Sequence, residues 1–258
     1  MTTQKINAII LDWAGTTVDY GSLAPTRVFL DIFRQRGIEI TVAEARGPMG
    51  RAKHEHIEMV ANLPRVAERW NQVHGRRPTA DDVTAMYHDF LPLQKQILAA
   101  GSDVIPGVPE AIRTLRDMGI KIGSTTGYTR ELMEIVIPLA AAQGYQPDVV
   151  VCADEVRAGR PAPWMNLRVA EMLNVYPLDT IMIVDDTLVG IEAGRNAGMK
   201  TVGVTMSGNE LGLTLDAAQQ LPTAELNAQL ETISGRFKEA GADFVIRSVT
   251  ELPQLPGF

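Results

Sequence analysis

A chain of 258 residues, 45% hydrophobic and 21% charged, has ordinary globular composition and the length for one large domain or a domain with a smaller companion. A formal net charge of −7 argues against a general nucleic-acid binder, so an anionic substrate would need a local cationic site. One cysteine, Cys152, leaves no intramolecular disulfide, and no run nears the roughly 20 apolar residues of a membrane span. The N-terminal stretch lacks the character of a signal peptide, so a soluble, cytoplasmic protein is expected.

The first apolar run, NAIILD at 7–12, is continuous rather than alternating, as expected of a strand covered on both faces. It ends in Asp12. Residues 21–100 then show no convincing strand but helical patterns at 24–37, 51–62, 64–75 and 79–101. Thr79, followed by Asp81 and Asp82, places a cap and acidic groups at the positive end of the last of these. After IPGVPEAI (105–112) the strands resume at 121–126, 148–154, 180–186, 201–207 and 244–248. Helical patterns at 108–118, 129–143, 163–174, 188–198 and about 222–240 separate them. This alternation predicts an α/β fold: a doubly wound, Rossmann-like parallel sheet from 1–20 and 101–258, with an all-helical insertion at 21–100. The closing ELPQLPGF reads as an ordered or frayed tail.

Ligands of such sheets bind beyond the carboxyl ends of the strands. Those ends carry Asp12; Thr125, Thr126 and Gly127; Arg160 in the loop after the third strand; and Asp185, Asp186 and Thr187. Any one of these residues is readily a cap or a turn residue. Four such groups at four successive ends point to one site. A carboxylate nucleophile, hydroxyl and backbone donors, a guanidinium fork and further carboxylates suited to Mg²⁺ are the parts of phosphoryl transfer.

Asp12, Thr126, the basic residue before Pro161 and the VDD at 184–186 resemble the four motifs of the haloacid dehalogenase superfamily, and the insertion resembles its cap domain. Two departures stand out. Position 14, where most members carry a general acid for an oxygen leaving group, is Ala14, which offers a metal only its backbone carbonyl. A common carboxylate four residues after the last motif aspartate is replaced by Gly190.

A nucleophile without its acid fits a leaving group activated in another way. The insertion holds GPMGRAKHEHIEMV at 47–60, where Lys53 and His56 lie three apart on one helical face and Met49 covers that face. Alone, Lys53 reads as a solvated surface lysine. Under an apolar roof and near other cations such as Arg51 and His54, it becomes a neutral amine able to form an imine with a carbonyl.

This combination is similar to the phosphonoacetaldehyde hydrolase (phosphonatase) family, through DWAGTTVDYGS (12–22), MGRAKHEHI (49–57), TTGYTRE (125–131), GRPAPWM (159–165) and VDDTLVGIEAGRNAGM (184–199). The resemblance implies hydrolysis of a small-molecule phosphonate to acetaldehyde and phosphate with Mg²⁺. It implies Asp12 as nucleophile, Lys53 as Schiff-base lysine, Asp12, the Ala14 carbonyl and Asp186 as metal ligands, and a homodimer through the cap. Thr126, Gly127, Arg160, Met49, His56 and Tyr128 are expected around substrate and phosphate, with His56 or Tyr128 handling protons. Ser22 stands where some relatives have cysteine. The competing readings are a phosphate-ester hydrolase, which Ala14 disfavours; a carbon–halogen dehalogenase, which the metal carboxylates disfavour; and an inactive binding protein, which retention of all four motif groups disfavours.

Overall fold

The computed structural model describes residues 5–257. Six parallel strands form one sheet: β1 Ala8–Leu11, β2 Lys121–Thr126, β3 Val149–Cys152, β4 Ile181–Asp185, β5 Lys200–Val204 and β6 Phe244–Ile246. Their order is β3-β2-β1-β4-β5-β6. The chain winds outward from β1 to β3 and then crosses back to β4, so the topological switch lies between β1 and β4. Ile10 marks the register, opposite Gly123 of β2 on one side and Ile183 of β4 on the other.

Alternate side chains of each strand enter opposite layers. Ile9 and Leu11 of β1 and Met182 and Val184 of β4 pack with Leu115 of α6 (Val108–Asp117) and Leu132 and Val136 of α7 (Arg130–Ala142). Ala8, Ile10, Ile181 and Ile183 pack on the other side with Met165 and Val169 of α8 (Trp164–Leu173). The continuous apolar strands of the sequence are thus covered by helices on both faces. β3 is shorter than its apolar run because Ala153–Glu155 closes a turn, Glu155 accepting from the Cys152 N–H at 2.7 Å.

The segment between β1 and α6 is helical: α1 Leu23–Arg34, α2 Val42–Arg46, α3 Lys53–Ala61, α4 Pro64–His74 and α5 Ala80–Ala100. It has its own core, built from Phe29 and Phe33 of α1, Ile57 and Val60 of α3, Trp70 of α4 and Met86 and Phe90 of α5. Thr79 caps α5 as expected, accepting from the Asp82 N–H while Asp82 accepts from that of Thr79. Helix α2 has only five residues, too few to show a period, and is defined by the Thr41–Glu44 capping box.

The two chain crossings into this segment lie side by side. Val18 bridges Val104, Ile105 donates to the Thr17 carbonyl at 2.9 Å and Asp19 donates to that of Asp103 at 3.0 Å. The Asp19 carboxylate, not Ser22, accepts from the first amides of α1, Leu23 at 3.1 Å and Ala24 at 3.0 Å.

Toward the C-terminus, α9 (Leu188–Asn196), α10 (Leu215–Gln220) and α11 (Thr223–Glu239) complete the covering layers. The closing ELPQLPGF is ordered: Leu252 is buried in the core and the Gly257 carbonyl accepts from the Ile6 N–H at 2.8 Å, while Phe258 lies outside the described residues. Among the described residues, no helix is long and apolar enough to cross a membrane.

Candidate active site

Asp12 follows β1, Thr126 ends β2, and Asp185 ends β4 with Asp186 next to it, all at the carboxyl edge beside the switch point. A small cavity there is lined by Asp12, Ala14, Ser22, Met49, Gly50, Lys53, Thr126, Gly127, Tyr128, Arg160 and Thr187. Its volume is about 20 Å³, room for about one water molecule. The sheet edge and the helical segment therefore meet face to face. A Cβ at Gly127 would stand 2.8 Å from the Arg51 carbonyl oxygen, so glycine permits that contact.

Arg160 does more than offer a fork to a ligand. Its Nη2 donates to Asp12 Oδ1 at 2.6 Å and to Thr125 Oγ1 at 2.9 Å, and its Nη1 lies 3.2 Å from Asp185 Oδ2. The side chains of Arg160 and Asp12 are 3% and 8% exposed, so this pair is desolvated and its charge-assisted bonds are strong. Arg160 fixes Oδ1 of Asp12 and leaves Oδ2 outside the pair.

Asp186 accepts from Thr16 Oγ1 at 3.0 Å and from the Asn209 N–H at 2.7 Å. Gly15, at φ 85°, leaves its carboxylate space, since a Cβ there would fall 2.2 Å from Oδ2. Burial, then the charges of Asp12 and Asp185, push the Asp186 carboxyl well above the usual range. Asp185 is raised too, by burial first, with Arg160 opposing. One carboxylate oxygen each of Asp12, Asp185 and Asp186 lies within 4.8 Å of the others. Three crowded hard-oxygen donors facing one cation fit Mg²⁺. Asp185 is already engaged by the Thr187 N–H at 2.9 Å, the Thr187 hydroxyl at 2.7 Å and Arg160, which leaves Asp12 and Asp186 the freer pair.

Lys53, the first residue of α3, is buried. Its Nζ lies 4.9 Å from the Tyr128 ring centroid and 5.7 Å from that of Phe29. Burial pulls its amine down from 10.5 to about 8, against the upward pull of Asp12, with Arg160 adding to the fall. The neighbouring cation is thus Arg160. Arg51 instead pairs with Glu55 at 2.5 Å, and His54 turns outward to Thr84.

His56 shares the buried face of α3 with Lys53 but is not among the residues that line the cavity. Its Nε2 donates to the Ala45 carbonyl at 2.7 Å, and its ring stacks on Phe29 with centroids 3.8 Å apart. Burial and then Lys53 drive its pKa well below 6.5, so it stays neutral. Thr126 Oγ1 accepts from the Tyr128 N–H at 3.1 Å, while the Tyr128 hydroxyl is buried without a partner. The Thr125 hydroxyl that helps hold Arg160 gave no sequence signal beyond its place beside Thr126.

The model of the haloacid dehalogenase-like hydrolase family matches residues 6–198. A phosphonoacetaldehyde hydrolase of Bacillus cereus strain G9842 is 49% identical over 97% of this chain and 95% of its own length. One of Bacillus anthracis is 48% identical over 96% of this chain and 94% of its own. Among solved structures, a phosphonoacetaldehyde hydrolase-like protein from Oleispira antarctica superposes with a TM-score of 0.95 at 44% identity, covering 97% of this chain and 91% of that one. A hydrolase from Pseudomonas syringae shares the fold, at 16% identity and a TM-score of 0.71, over 96% of each chain.

Proposed function

The chain belongs to the haloacid dehalogenase-like hydrolases, within the phosphonoacetaldehyde hydrolase family, and from that premise we propose that it cleaves the carbon–phosphorus bond of phosphonoacetaldehyde through a Lys53 imine and an Asp12 phosphoryl intermediate. The observation that carries this reading is a buried lysine that lines one small cavity with Asp12, while Ala14 stands where an acid would.

A carbon leaving group needs an electron sink, not a proton donor beside the nucleophile. The neutral Lys53 amine adds to the aldehyde, takes up a proton and expels water, forming a protonated imine. Asp12, oriented through Oδ1 by Arg160, attacks phosphorus. The carbon–phosphorus bond breaks, its electron pair passes into the imine, and an enamine leaves. Protonation of the enamine and addition of water release acetaldehyde and restore Lys53. A second water hydrolyses the aspartyl phosphate to phosphate and Asp12. One water is consumed overall.

Thr126, Gly127 and Arg160 border the space the phosphoryl oxygens would occupy, and Met49 and Tyr128 keep the amine in an apolar wall. Asp12, Asp186 and the Ala14 carbonyl would hold Mg²⁺, which supplies positive charge to offset that of the phosphoryl oxygens and Asp12. With His56 held on Ala45 behind Phe29, we assign it to the placement of α3 and leave Tyr128 as the nearer candidate for proton handling. A cavity of about 20 Å³ cannot admit the substrate, so residues 21–100 act as a cap that opens for binding and closes for reaction. A homodimer through that cap belongs to the same reading and is checked by sedimentation.

Borohydride added to the protein with phosphonoacetaldehyde tests the reaction. A reduced adduct on Lys53, located by mass spectrometry, supports it. Turnover without any adduct, or near-native turnover by Lys53→Arg, would sink the imine step.

A further inference from the structure

Arg46, the last residue of α2, lines a cleft of about 870 Å³ between the helical segment and the sheet domain. Its Nη1 donates to the Gly21 carbonyl at 3.0 Å, to the Asn209 carbonyl at 2.9 Å and to Asn209 Oδ1 at 3.3 Å. Its Nη2 donates to Gly21 again at 3.1 Å and to the Gly212 carbonyl at 3.4 Å. One guanidinium thus gathers oxygens from two separate segments, the crossing into the cap and the loop after β5. Burial is the first influence on this group and lowers its pKa, with Asp19, Asp186 and Glu210 opposing from a distance. A partly desolvated cation held by carbonyl oxygens contributes position as well as charge.

The backbone is shaped to receive it. Gly212 has φ 64°, and a Cβ there would lie 2.6 Å from Arg46 Nη1. Gly21 has φ 86°, and a Cβ there would meet the Leu213 carbonyl oxygen at 2.2 Å. Glycine at both places lets the loop close around the guanidinium.

Arg46 is also one residue or one bond from both halves of the site. The Asn209 whose carbonyl it grips donates its N–H to Asp186 at 2.7 Å. Ser207 in the same loop accepts from the Gly21 N–H at 2.7 Å and donates to the Gly15 carbonyl at 2.8 Å. On the cap side, the neighbouring Ala45 carbonyl holds His56, one turn along α3 from Lys53.

We infer that Arg46 is a clasp that forms when the cap closes, a positioning residue that seats Lys53 over Asp12 and braces the loop carrying Asn209 against Asp186. This inference rests on the Lys53–Asp12 reaction proposed for the site. Opening the cap lifts α2 off the loop and releases both sets of carbonyls. Closing restores them together, so the amine and the carboxylate loop reach their working places in one movement.

A clasp of this kind favours closure over bound substrate, so while the loaded enzyme stays mostly closed its loss raises the apparent substrate constant and leaves the saturated rate nearly unchanged. For Arg46→Met we expect KM to rise on the order of tenfold with kcat within about threefold, and for Arg46→Lys, which keeps charge but loses the fork, a smaller rise. Hydrogen exchange on the full-length chain supplies the independent readout. It should quicken at 44–57 and 207–213 and stay unchanged in β1 and β4. Gly212→Ala, which pushes on the guanidinium from the other side, should reproduce the pattern and serves if Arg46→Met does not fold. KM and exchange within twofold of wild type in Arg46→Lys and Gly212→Ala would overturn the clasp. So would faster exchange spread equally over β1 and β4, which marks a general loss of stability. If wild-type protein neither turns over phosphonoacetaldehyde nor yields a borohydride adduct, the proposed reaction fails while the exchange comparison still decides the clasp.

Discussion

Lys53 stands with its Nζ 4.9 Å from the centroid of the Tyr128 ring, on the far side of the domain seam from the helix that carries it. The ring favours the ammonium form through its negative face, but burial outweighs it and brings the amine to about 8. Because the neutral amine is the reactive form, kcat/KM should rise with pH up to about 8 and then level. A profile flat from pH 6 to 9 would remove Lys53 from the rate-determining chemistry.

The same group makes a stability prediction. The folded pKa lies below the unfolded one, so between about 8 and 10.5 the unfolded chain binds more protons and stability rises with pH. Below about 8 the penalty for burying the ammonium is fully present. At about 1.4 kcal/mol per pH unit it is on the order of 3 kcal/mol. Lys53→Met should therefore melt several degrees higher than wild type at pH 7, with the gain shrinking toward pH 10.5, while losing turnover. Melting curves at pH 7 and pH 10 check the sign.

Gly190 is where superfamily members commonly carry a carboxylate, and here that position is sterically committed. A Cβ would lie 2.0 Å from Asp185 Cγ, and Asp185 holds both Thr187 and Arg160. Gly190→Asp should not recover a metal ligand. It should cost on the order of 2–4 kcal/mol by overpacking and displace Arg160 from Asp12. Wild-type stability and activity in that variant would refute this account.

Three buried carboxylates within 4.8 Å repel one another, and a divalent cation relieves that repulsion. Mg²⁺ at about 100 times its dissociation constant should stabilise the fold by about 2.7 kcal/mol. Asp186→Asn should cut that response and the activity together. A melting temperature indifferent to Mg²⁺ and to chelator would argue against the site.

His56→Ala removes the bond to Ala45 and the stack on Phe29, and should cost about 2–4 kcal/mol of stability. Activity falls because α3 shifts Lys53. The wild-type pH profile should show no ionisation near 6.5, since burial holds His56 neutral far below that value. A limb near 6.5 that disappears in His56→Ala would restore it as a proton carrier.

Much of the fold was legible because β1 and β4 are continuous apolar runs that lead into Asp12 and Asp185, and β2 ends in Thr126. Lys53 was legible once Ala14 posed the question of how the leaving group departs. Other features were not, for physical reasons. Helix α2 is shorter than two turns and shows no period. The pairing of Arg160 with Asp12 joins residues 148 apart, and no local pattern encodes it. His56 and Lys53 share a helical face, but spacing alone does not reveal that Phe29 and the Ala45 carbonyl occupy one of them.

The bridge between Val18 and Val104 has an evolutionary consequence. A segment that leaves and rejoins its host at one point asks little of the strands themselves, since its other contacts fall on loops such as Gly127 and Gly212. The helices between can be lengthened, traded or reshaped while β1 and β2 remain paired. New side chains can then be brought to the strand ends on a detachable part, while Asp12, Asp185 and Asp186 keep their places.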